Sequence, residues 1–144
     1  MNPADGPRAL EPDPGRSERG ARASQISREI VQLHARMFGR GPTRAKTYIH
    51  DDYVLCLLED VFTPAERTLV DAGSIEQVVA TRRAFGEAVA SDFIAIVEGA
   101  VGRSVRAFVS QVHIDPEISV ELFLLEPTDE PIEPEEEGGA DSVG

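Results

Sequence analysis

Arginines supply the most suggestive chemistry in this chain. Arg36, Arg40, Arg44 and Lys46 flank or occupy the segment Gly39-Arg40-Gly41-Pro42-Thr43, a gathering of bases in a chain whose formal net charge is -12. Guanidinium forks and backbone N–H groups in a glycine-bearing loop can cradle a small anion. Arg40, Gly41 and Arg44 are therefore candidate anion-binding residues. The ordinary alternative is a helix ending at Gly39 with bases placed favourably at its C-terminus. A nucleotide-type phosphate loop is excluded, because that motif needs G-x-x-x-x-G-K-[ST] between a strand and the start of a helix.

Arg82 is the fourth candidate. On a helical wheel Ile75, Val78, Val79, Phe85, Val89, Phe93, Ile96 and Val97 share one stripe, and Arg82 falls inside it. A charge on an apolar face needs a carboxylate, a set of carbonyls or an anionic ligand. Its ordinary role is a structural ion pair or a side chain reaching an edge.

Other chemistry finds little support. His34, His50 and His113 are scattered and Cys56 is the single cysteine, so no metal-ligand spacing arises. Cys56 lies between Leu55 and Leu57 and reads as a buried, inert thiol. Neither a G-x-S-x-G elbow nor a glycine-rich dinucleotide fingerprint occurs. No catalytic residue, cofactor or metal is expected.

The elements that would position these residues follow from periodicity. Ile26, Ile30, Leu33 and Met37 predict a helix from Ser24 to Phe38, stopped by Gly39. Arg44–Ile49 and Tyr53–Val61 predict a hairpin around His50-Asp51-Asp52. Thr63-Pro64-Ala65-Glu66 is a capping box that opens a short helix to about Ala72. Ser74 and Gln77 repeat the arrangement for a longer helix to roughly Gly99, and Val105–Ile114 with Ile118–Leu125 predict a second hairpin.

The expected fold is α+β, a two-layer sandwich in α-β-β-α-α-β-β order, with one long helix across a four-stranded, mainly antiparallel sheet. Residues 1–21 read as a disordered N-terminal tail, 22–125 as the domain, and 126–144 as a disordered acidic tail with eight acids and no base. Without that tail the charge is ordinary, and net acidity disfavours nucleic-acid binding. No apolar stretch suits a signal peptide or a membrane span. The run Tyr53-Val54-Leu55-Cys56-Leu57-Leu58 is apolar on both faces, so both must be covered. One face would take the long helix, and the other the first helix or a second subunit, most simply in a homodimer.

The Gly39-Arg40-Gly41-Pro42 loop, Leu58-Glu59-Asp60-Val61-Phe62-Thr63-Pro64-Ala65-Glu66 and Thr81-Arg82-Arg83-Ala84-Phe85, in this order, resemble the MpsC-like family over residues 24–125. The resemblance implies the small soluble component of a bacterial sodium-translocating, membrane-potential-generating system associated with inorganic-carbon uptake. It further implies a cytoplasmic location, peripheral to the inner face of the membrane, and a membrane-bound ion-transporting subunit as partner. No catalytic residues carry over from the family. The expected function is a non-catalytic accessory or regulatory protein, with a small-anion or nucleotide-sensing module as the alternative.

Overall fold

The computed structural model describes residues 14–128. The expected acidic tail beyond residue 128 and the first thirteen residues lie outside that range. Eight elements follow one another: α1 (Pro14–Phe38), β1 (Arg44–Ile49), β2 (Tyr53–Glu59), α2 (Pro64–Asp71), α3 (Ile75–Ala88), α4 (Ala90–Val101), β3 (Val105–His113) and β4 (Ile118–Leu125). The α+β fold with a four-stranded antiparallel sheet is as expected.

Three local expectations need correction. The first helix begins at Pro14, so residues 14–21 extend it rather than belonging to a disordered tail. Proline suits a first helical turn, and extension beyond a packed nucleus costs little per residue. The single long helix is two helices, broken at Val89, which has φ -110° and ψ 11°. A straight 26-residue helix would run about 39 Å, whereas strands of seven to nine residues span roughly 23–30 Å. The break lets both halves lie over the sheet. Finally, Ser74 makes no side-chain capping bond, although the capping box at Thr63 and Glu66 forms in full.

The strands lie in the order β1-β2-β4-β3, with every neighbouring pair antiparallel. Two hairpins thus join through their second strands, which puts the most apolar strands, β2 and β4, at the centre. The edges carry Arg44 and Lys46 on β1 and Ser110 and Gln111 on β3. Polar side chains at an edge discourage further strand pairing.

All the core packing lies on one face of the sheet. Ile26, Ile30 and Leu33 of α1 and Phe93 and Val97 of α4 meet Val54, Cys56 and Leu58 of β2 and Phe123 and Leu125 of β4. These strand residues share one parity, so α1 and the α3–α4 pair cover the same side. Of the two covers expected for the second face, the first helix is therefore ruled out. The other face carries Tyr53, Leu55 and Leu57 on β2 and Ile118, Val120, Leu122 and Leu124 on β4, none of them in the core cluster.

This asymmetry predicts unequal responses on one strand. Phe123→Ala, at a fully buried position stacked on Phe108, should cost about 3–5 kcal/mol in chemical denaturation. Leu122→Ala, one residue away, should cost under about half as much when the chain is dilute and monomeric.

Candidate functional site

The side chain of Arg82 is the meeting point of the helical layer. Its Nε donates to Glu66 Oε2 at 2.7 Å and its Nη2 to Glu66 Oε1 at 2.6 Å, a two-pronged fork between α3 and α2. Nη2 also donates to the Val61 carbonyl at 2.7 Å, and Nη1 donates to His34 Nε2 of α1 at 3.1 Å. The guanidinium plane lies over the Phe38 ring, 3.8 Å from its centroid. Glu66 is held in turn by the Thr63 backbone N–H at 2.9 Å, the other half of its capping box. Its carboxyl is desolvated, yet the Arg82 fork and the cap hold it below the usual carboxylate range.

Arg40 works on the same connection from the other side. Its Nη1 donates to the carbonyls of Asp60 and Phe62 at 2.9 and 2.8 Å, and its Nη2 to Asp60 Oδ2 at 3.1 Å. Carbonyls 60 and 62 thus belong to Arg40 and carbonyl 61 to Arg82. Asp60 adopts φ 60°, a left-handed conformation that aspartate tolerates better than most residues. Against desolvation, hydrogen bonds from Arg40, Thr43 and Arg67 hold its carboxyl below the ordinary range.

The four predicted site residues are therefore brought together only in part. Arg40 and Arg82 converge on the turn between β2 and α2. Arg44 stands apart on β1, its side chain 75% exposed and 3.9 Å from Glu59. Gly41 packs against α1, where an added Cβ would sit 3.1 Å from the Val31 carbonyl oxygen. Its small size serves close packing of the loop. An anion at Arg40 or Arg82 would have to displace carbonyls and carboxylates of the chain itself.

Beneath Arg82 lies a small, partly open chamber, apolar over most of its wall, that periodicity did not reveal. It measures about 30 Å³ and is lined by His34, Arg82, Phe85, Ser110, Ser119 and Glu121, among others. Glu121 projects from β4 into the helical layer and is only 2% exposed. The Ser119 hydroxyl donates to its Oε2 at 2.7 Å, while no protein group completes a hydrogen bond to Oε1. His34 is equally buried, and because Arg82 can only donate, its Nε2 must be the acceptor and its Nδ1 must carry the proton. A groove of about 300 Å³ between α3 and β3 shares Arg82, Gly86 and Ser110 with the chamber.

The sequence model of one protein family, described as Na+-translocating membrane potential-generating system (MpsC), matches residues 18–127. The chain belongs to this family. The match runs from α1 through β4 and so takes in the Arg82 junction, the Arg40 loop and the chamber. No curated protein and no solved structure matches the chain. Among the described residues of this MpsC chain, no helix is long and apolar enough to cross a membrane. No three His, Cys, Asp or Glu side chains among them group to hold a metal ion.

Glu121 escaped sequence reading for a definite reason. Ile118, Val120, Leu122 and Leu124 alternate with Ser119, Glu121, Phe123 and Leu125, and the all-apolar set looks like the buried one. The structure buries the other set. The only sequence signal was Arg82 itself, a polar group on the apposed helix stripe.

Two predictions follow from this junction. Arg82→Met leaves the half-buried Glu66 with only its capping bond, so it should cost about 1.5–3 kcal/mol in chemical denaturation, and adding Glu66→Gln should restore part of the loss. The second concerns pH. Burial, followed by repulsion from Arg82, lowers His34 from 6.5 to about 4. Burial raises Glu121 from 4.5 to about 7. Folded His34 stays neutral where the unfolded imidazole protonates, so its contribution to stability is lost as pH falls from 6.5 towards 4. Folded Glu121 keeps a proton that the unfolded chain releases, so its contribution is lost as pH rises from 4.5 towards 7. Each is worth roughly 3 kcal/mol at its limit, and the two slopes oppose each other between pH 4.5 and 6.5. Denaturation midpoints should vary little across that window in the unaltered chain. They should rise with pH in Glu121→Gln and fall with pH in His34→Gln.

Proposed function

We propose that the protein is a non-catalytic accessory or regulatory component of a Na+-translocating, membrane-potential-generating system, and that it acts by association. One observation carries this reading: the sheet face turned away from the helices has an apolar centre on β2 and β4, with charged and polar side chains such as Arg44, Lys46, Gln111 and His113 along its edges. Ile118, Val120, Leu122 and Leu124 lie beside Tyr53, Leu55 and Leu57, with Tyr48 and Val109 each 48% exposed at its flanks. Four strands of this length present roughly 400 Å² in projection. Apolar patches of this size are often functional, which supports an interaction surface here.

A second copy fits the face well. A two-fold axis parallel to the strands sets β2 over the partner's β4 and β1 over the partner's β3, with the sheets about 10 Å apart. Leucine and valine rows then meet at the centre, and by the strand registers Arg44 lies level with His113, Lys46 with Gln111 and Tyr48 with Val109 of the other copy. We take the homodimer as the unit that meets a membrane-bound ion-transporting subunit from the cytoplasm, peripheral to the inner face of the membrane.

Light scattering coupled to size exclusion tests the first step. The unaltered chain should elute as a dimer and Leu122→Lys as a folded monomer; an unaltered chain that stays monomeric at all concentrations tested would overturn it. Affinity purification from native membranes tests the second. Recovery of an ion-transporting membrane subunit supports the accessory role, and its consistent absence counts against it even if the dimer stands.

A further inference from the structure

The basic part of this acidic chain is continuous in sequence. Residues 14–49 hold eight bases and two acids, whereas residues 50–128 hold five bases and fourteen acids. Where that basic part sits follows from how α1 crosses the sheet. The hydroxyl of Ser27 bonds that of Thr47 on β1 at 2.8 Å, and His34 lines the same chamber as Glu121 of β4. Thr47 and Glu121 stand at one level, since both pair with Cys56 of β2. The helix therefore passes across the strands, and its first turns overhang the outer edge of β1. Residues 17–22 are accordingly all exposed. Arg19 lies seven residues before Ile26, so it continues the sheet-facing stripe beyond that edge, where no strand meets it.

Between the overhang and the β1 edge runs a groove of about 490 Å³, lined by Ala23, Ser24, Ser27 and Arg28 of α1 and by Ala45 and Lys46 of β1, among others. No acidic side chain lines it. Arg22 reaches Glu18 only at 3.9 Å, and Arg19 and Arg28 form no ion pair among the described residues. An occupant should be acidic, extended and apolar at one point.

The chain's own C-terminal segment has that composition and starts close by. The Leu125 N–H donates to the Asp52 carbonyl at 2.9 Å, and Arg103 donates to the Glu126 carbonyl at 2.7 Å, so β4 ends beside the turn between β1 and β2. From there, past the end of β1 and back along it from Ile49 to Lys46, is roughly 20 Å. Extended chain covers about 3.3 Å per residue, which brings Ile132 to the groove. Ile132 is the only large apolar residue between Leu125 and Val143, and Asp129, Glu130, Glu133, Glu135, Glu136 and Glu137 surround it. Pro127, Pro131 and Pro134 suit an extended occupant rather than a helical one.

We propose that the acidic segment 129–137 docks in this groove of its own copy, with Ile132 between α1 and β1 and its carboxylates against Arg19, Arg28 and Lys46. Tethering raises the effective concentration of the segment, so exposed pairs that are individually weak act together. The docked segment covers the basic edge, and any other anionic partner reaches that edge by displacing it. Apart from Lys46 at the rim, the groove lies outside the open sheet face, so docking does not require the dimer.

NMR on the full chain tests the docking. In the unaltered chain and in Leu122→Lys alike, Overhauser contacts should join the Ile132 methyls to those of Ala23 and Ala45, and 15N relaxation should show restricted motion over residues 129–137. Both signatures should be lost as salt rises from about 0.01 M to about 1 M, which shortens the screening length from about 30 Å to about 3 Å. They should also be lost at low salt in Arg19→Gln/Arg28→Gln, whose two positions are exposed. Glu133→Gln/Glu135→Gln/Glu136→Gln, which alters none of the eight elements, should give the same loss and decides the matter if the arginine variant does not fold. A segment that relaxes identically in every salt and variant overturns the proposal, as do Ile132 contacts to another part of the surface. Contacts present in the unaltered chain and absent from Leu122→Lys place the segment on the other copy and overturn it as well, while leaving the dimer intact.

Discussion

The guanidinium of Arg82 and the carboxylate of Glu66 hold the helical layer in register. Glu66 is fastened to the start of α2 by its capping box, Arg82 sits on the buried stripe of α3, and His34 brings α1 to the same point. Once a charge is committed to the interior, its surroundings are constrained: the fork must be bidentate, the Val61 carbonyl must turn inward, and an aromatic ring must lie against its plane. Arg40 imposes the matching condition from outside by taking the two neighbouring carbonyls. The connection from β2 to α2 is therefore specified by hydrogen bonding to two arginines, where a short loop would otherwise be free to vary. Buried ion pairs add little net stability over apolar packing, but they tolerate few alternative arrangements.

That junction also accounts for the unusual interior of β4. Apolar packing against α1 and α4 occupies one end of the sheet, around Phe123 and Leu125, and the layer becomes polar towards Glu121 and Ser119, where Arg82 lies overhead. His34 and Glu121, pushed in opposite directions by the same burial, both remain uncharged over part of the neutral range. Neutrality is how a small domain keeps two titratable groups inside without water.

Both sheet faces carry apolar rows, one under the helices and one open. The helical face sets a carboxyl, three hydroxyls and a thiol among its apolar core, while the open face has leucine, valine, isoleucine and tyrosine at its centre and charged or polar side chains at its edges. Membership of a family described by a multi-part membrane system gives that arrangement a context, since a face left apolar is useful only if something covers it.

The elements and their order were readable from the residues. Hydrophobic periods of two and 3.6, the capping box at Thr63 and helix stops at Gly39, Gly73 and Gly102, all of positive φ, are local properties that a few neighbouring side chains determine. Arg82 could be singled out because a charge in an apolar stripe is visible at once. Its partners could not, because Glu66, His34 and Val61 lie 16, 48 and 21 residues away. The two-sided apolarity of β2 showed that both faces want cover. Which face the helices would choose, the break at Val89 and the burial of Glu121 depended on tertiary packing. Alternation says that two faces differ, but only the path of the chain across the sheet decides which one becomes the inside.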